Sequence, residues 1–135
     1  MLRSVLVVLA GLVVGMFVIT AVESLIPMVY PLPLGLDPKD PEALAAAFAA
    51  MPSGVFLMLM AAWAFGSLTG GVLTARLAAH SPMQHALAVG VIQTVGAVAN
   101  FVMLPHPAWV IAAGIAVFVP MALLGGSLGR RPAQA

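Results

Sequence analysis

Four stretches of this chain run for about twenty residues or more with almost no charge, and all four arginines stand at the ends of those stretches. Arg3 precedes the first, Arg76 closes the second, and Arg130 and Arg131 follow the fourth. The only lysine, Lys39, lies in one connecting segment with Asp37, Asp40 and Glu42. Hydrocarbon offers no hydrogen bonds to a backbone, so a chain immersed in it must satisfy its own peptide groups within helices or a closed barrel. About 20 apolar residues in a helix cross the hydrocarbon.

Composition closes the alternative of a water-soluble fold. A soluble domain is typically about 25% charged. Here 7% of residues are charged and 63% hydrophobic, which leaves too little polar surface to face water. The expected fold is all-α: a polytopic integral membrane protein with four transmembrane helices and a short surface helix in the outer loop between helices 1 and 2. Residues 1–135 form one transmembrane domain, with spans at about 4–26, 53–79, 82–104 and 107–128. The loop at 27–52 is proline-rich in its first half, which argues against helix or strand there. In its second half Asp40 can cap a helix at about 41–50, with Pro41 and Glu42 suited to the first turn. Leu44, Phe48 and Met51 would give that helix an apolar face, directed at the membrane surface or the tops of the spans.

Local punctuation supports these limits. Pro27 is expected to end span 1. Ser81-Pro82-Met83-Gln84 reads as a capping box with proline at the first helical position. Pro120, inside span 4, is expected to kink that helix or free a carbonyl. Arginine bias in short loops sets orientation, so both termini are expected in the cytoplasm, with the acidic loop outside. The expected location is the bacterial inner membrane. An uncleaved first span fits better than a signal peptide, because its uncharged run exceeds a typical h-region.

Small residues mark where helices can approach closely in lipid. Ala62, Gly66, Gly70 and Thr74 form one row on span 2, and Ser67, Gly71 and Ala75 form another. This face suits contact within the bundle or between subunits. Gly11 and Gly15, then Ala86, Gly90 and Ala97, then Ala122, Gly125, Gly126 and Gly129 offer partner faces on the other spans.

Few residues can carry chemistry. Glu23 is the only acid inside a span and would sit about one turn below the outer end. An acid there needs a proton, a partner or a path to water, which makes it a candidate proton or cation site. Gln93 and Asn100, seven apart on span 3, share a face expected to point into the bundle. His106 lies in the outer turn at a depth close to that of Glu23, and a carboxylate beside an imidazole can bind a proton. Trp63 falls near mid-membrane, where it can fill the core or line a cavity. His80 and His85 flank the cytoplasmic turn.

No nucleophile elbow, P-loop, dinucleotide fingerprint or H-E-x-x-H occurs, and cysteine is absent. The expectation is therefore a protein that is not an enzyme and needs no cofactor or metal. A net charge of +1 gives no reason to expect nucleic acid as a partner. Membrane lipids are the expected surroundings. One functional reading is helix packing as a homo-oligomer or as an accessory subunit of a larger membrane complex. The alternative is a small proton- or cation-coupled transporter or channel, with Glu23, Asn100, His106 and Gln93 forming its polar site. A lipid-handling role for the 41–50 helix is a third.

Overall fold

The computed structural model describes residues 2–31, 35, 37 and 39–130. Six helices follow in order: α1 (Leu2–Glu23), α2 (Ile26–Val29), α3 (Pro41–Ala50), α4 (Ser53–Leu77), α5 (Pro82–Met103) and α6 (Ala108–Gly129). No strand occurs among the described residues. Four of the segments, Leu2–Val29, Ser53–Leu77, Pro82–Met103 and Ala108–Gly129, are long and apolar enough to cross a membrane. Their outward faces carry large apolar side chains such as Phe17, Leu57, Val95 and Val102. Such a surface suits lipid.

Helix limits follow from proline and capping chemistry. Residue 27 is expected to stop span 1 at 26, but α1 ends three residues earlier and a single turn, α2, resumes across Pro27. The reason is the position of the lost bond. Proline at 27 removes the hydrogen bond to the carbonyl of Glu23 and collides with it, so the break falls at Glu23. Pro27 then sits in the first turn of α2, where no N–H is required. That turn lies within a stretch expected to hold no helix. The rest of the proline-rich stretch, residues 32–34, 36 and 38, lies outside the described residues, as does Arg131. α3 occupies the expected 41–50, and the Asp40 carboxylate accepts from the N–H groups of Glu42 (3.0 Å) and Ala43 (3.1 Å).

The capping box at Ser81 does not form. Ser81 takes a left-handed backbone (φ 47°) and its hydroxyl makes no cap bond. A side-chain cap needs an extended backbone at that position. The Ser81 carbonyl instead accepts from the backbone N–H groups of Gln84 and His85 and lies 3.0 Å from His85 Nδ1. Pro120 sits on an exposed face of α6 without ending it, and its missing N–H leaves the Ala116 carbonyl without its helical partner.

α4 is the centre of the bundle, with α1 on one side and α6 on another, while α5 packs chiefly on α6 and α4. The small residues explain the arrangement. Gly11 and Gly15 of α1 meet Gly70 and Gly66 of α4 in antiparallel register. A Cβ on Gly66 would stand 2.6 Å from the Gly15 carbonyl oxygen, and one on Gly70 would stand 2.7 Å from that of Gly11. On the α6 side, Gly71 lies against the backbone of Ala122, Gly125 against Leu68 and Gly129 against Val72. The two small-residue rows of α4, including Gly66, Gly70, Ser67 and Gly71, are thus buried inside a single chain. One end of the bundle carries Arg3, Arg76 and Arg130, and the other carries α2, α3 and the 104–107 turn.

Candidate functional site

α1 and α5 approach each other only sparsely, and this seam shapes the site. At the end away from the arginines it widens into a cavity of about 1130 Å³ that reaches from α1 and α5 to α3, α4 and Phe118 of α6. Val13, Met16 and Phe17 on one side and Ile92, Gly96 and Asn100 on the other line the cavity while remaining exposed. The mouth therefore faces sideways, between two helices, toward the medium that solvates the bundle. α3 lines the end of the cavity, and Phe48 with Met51, the residue that follows the helix, packs against the core. A second groove of about 410 Å³ continues the seam toward the arginine end, and both share Leu12 and Ile92.

The cavity wall is mostly apolar, and its polar groups include those the sequence singles out, with Thr20 and Tyr30 beside them. Glu23 is half-buried at the last residue of α1, placed there by the Pro27 break. The Trp63 indole N–H donates to its Oε1 at 3.2 Å. Trp63, only 6% exposed, stands at the centre of an aromatic group. It stacks on Phe118 with ring centroids 5.7 Å apart, meets Phe101 edge-on at 5.6 Å and lies 6.4 Å from the His106 ring. His106 also meets the edges of Phe48 and Phe101, each at 5.2 Å.

His106 is half-buried rather than a solvated turn residue. Its Nδ1 lies 3.0 Å from the Leu104 carbonyl, which can only accept, so Nδ1 carries the hydrogen. In the neutral ring Nε2 then keeps its lone pair. Glu23 and His106 come from α1 and the 104–107 turn, yet both line one cavity and both touch Trp63.

Gln93 is buried on α5, where Ser67 donates to its Oε1 at 2.8 Å. Its Nε2 has no partner among the described residues. Ala86, Gly90 and Ala97 share the buried face of α5 as expected, but Asn100 does not: it is exposed, as is Gly96. α1 stands back from this part of α5, and no atom of the described residues lies within 4 Å of where a Gly96 Cβ would be. Asn100 therefore borders the cavity mouth instead of the bundle interior.

The Trp63–Glu23 bond is a feature that residue spacing did not disclose. Its signal was the mid-span tryptophan, whose N–H needs an acceptor when buried. The Thr74 hydroxyl, fully buried against Gly11, also has no hydrogen-bond partner among the described residues. His80 and His85 meet edge-on at 5.7 Å near the arginine end, away from the cavity. No three His, Asp or Glu side chains converge among the described residues. Comparisons with protein-family models, with curated proteins and with solved structures return no match.

Proposed function

We propose that this is a multi-pass membrane protein that binds a small solute in the α1–α5 cavity and carries it, without catalysis, between the two sides of the bilayer. The observation that supports this most directly is the Glu23 carboxylate held by the Trp63 indole on the wall of a cavity of about 1130 Å³. Ligand sites are typically concave and mainly apolar, with a few convergent polar groups. Glu23, His106, Gln93 and Asn100 are among those groups here. An acid kept within a span is by default a candidate for proton or cation coupling. The bacterial plasma membrane is the proposed location, with the arginine end in the cytoplasm and the cavity in the outer half.

The packing-only reading receives less support. Gly66, Gly70, Ser67 and Gly71 are buried against α1, α5 and α6 of the same chain, which leaves that face no free partner surface.

Gly96→Phe tests the proposal. The new ring would enter the open space at the cavity mouth, where no neighbouring atom obstructs it. Wild-type protein purified in native-lipid nanodiscs is expected to carry a small molecule detectable by native mass spectrometry, and Gly96→Phe to lack it. Identical spectra for the two proteins would remove the cavity from the function.

A further inference from the structure

Resting on the reading of the cavity as a solute site, we infer that its ligand is a lipophilic organic cation, an amine or onium centre on an apolar body, admitted sideways from the lipid. Three observations converge on this class.

The first is the sign of the polar groups. Among the described residues no lysine or arginine lines the cavity, and the unpartnered donor there, Gln93 Nε2, is an uncharged amide. The Trp63 N–H is already donated to Glu23 Oε1, so this donor is occupied while the second carboxylate oxygen is free to accept. At His106 the Nδ1 hydrogen is engaged by the Leu104 carbonyl. An anion would meet no positive charge, and a carboxylate in apolar surroundings lacks a countercharge that a cation supplies.

The second is the aromatic group. Trp63, Phe48 and Phe101 surround His106, and Trp63 and Phe48 line the cavity that Glu23 shares. Aromatic faces attract cations through their quadrupoles, Trp most strongly, and the attraction grows when water is excluded.

The third is access. α3 lines the end of the cavity through Ala47, Phe48 and Ala50, and the α1–α5 seam is bordered by exposed Val13, Phe17 and Ile92. A ligand arriving by this route must first partition into lipid, which demands an apolar body. The volume, just above the range of about 300–1,000 Å³ usual for drug-sized pockets, accommodates one.

The test compares two probes of nearly the same shape and opposite charge. Tetraphenylphosphonium and tetraphenylborate are titrated into nanodisc-embedded protein carrying Trp109→Phe, so that Trp63 is the remaining tryptophan and reports by fluorescence. Saturable quenching by the phosphonium alone is expected. Glu23→Gln should weaken it by about tenfold or more, and Gly96→Phe should abolish it. Glu23→Gln retains a carbonyl oxygen for the Trp63 N–H, and circular dichroism with gel filtration verifies that it folds. Equal binding of both probes, or phosphonium binding untouched by Glu23→Gln, would overturn the cation assignment; loss of both in Gly96→Phe would still uphold the cavity. Absence of saturable binding by either probe would also reject the inference, while the nanodisc mass spectra judge the cavity separately.

Discussion

Replacing Gly70 by alanine should loosen the α1–α4 contact by an amount that can be worked from its geometry. The added Cβ would lie 2.7 Å from the Gly11 carbonyl oxygen, about 0.7 Å short of ordinary van der Waals contact, and 3.3 Å from Val89 Cγ1. Valine can turn aside slightly, but a backbone carbonyl moves only with its helix. The helices must therefore part by roughly half an ångström or more. A gap of that size forfeits about a quarter to a half of the dispersion well for each pair of atoms it separates. Overpacking of this kind costs about 1–3 kcal/mol. Alanine also has the better helix propensity, by up to about 1 kcal/mol, which offsets part of that cost. The net expectation is a destabilisation of about 1–2 kcal/mol. Reversible unfolding in mixed micelles, followed by circular dichroism, measures it. Gly96→Ala is the control: it gains the same propensity and meets no atom within 4 Å, so it should be neutral or slightly stabilising. If Gly70→Ala matched Gly96→Ala, the glycine contact would not be what holds α1 in place.

Other expectations follow from single contacts. A double-mutant cycle on Ser67→Ala and Gln93→Leu should give a coupling of about 0.6 kcal/mol, the usual size for a hydrogen bond between membrane helices, and zero coupling would contradict the bond. Asp40→Ala removes two N-cap bonds and should destabilise α3 by about 1 kcal/mol, seen as faster amide exchange over Glu42–Ala50 with no change in α4. With cytoplasmic arginines, cysteines placed at Lys39 and at Arg76 should react with impermeant thiol reagents from opposite faces of the bilayer; labelling from one face would reverse the proposed threading.

Much of the architecture was legible because each device is local. Proline, the Asp40 cap and the length of the uncharged runs act over a few residues, so α3 through α6 begin and end within two residues of expectation. The Pro27 break was misplaced because the consequence of a proline falls four residues upstream, at Glu23. The Ser81 cap failed because the residue before Pro82 adopted a left-handed backbone, which a motif of side chains does not encode. The small-residue rows announced tight packing, yet not its partner. That antiparallel match of Gly11 with Gly70 and Gly15 with Gly66 is a property of two helices together.

The site was legible as a set of residues but not as a place. Glu23, Gln93 and His106 stood out as polar groups in an apolar chain, and all three line the cavity. Asn100 was expected inside because its helix face is small and polar. It borders the mouth because α1 leans toward α4 and away from α5. Nothing in one helix reports such a lean.

That lean has a consequence for how the chain is put together. α1 is joined to the rest by the long connection before α3 and is seated almost wholly on α4, through two glycine notches. The other three spans already form a cluster linked by short turns. A chain severed between residues 31 and 40 should thus reassemble when its two pieces are made separately in one bilayer, with the first span behaving as a detachable stave that finds its slot by shape.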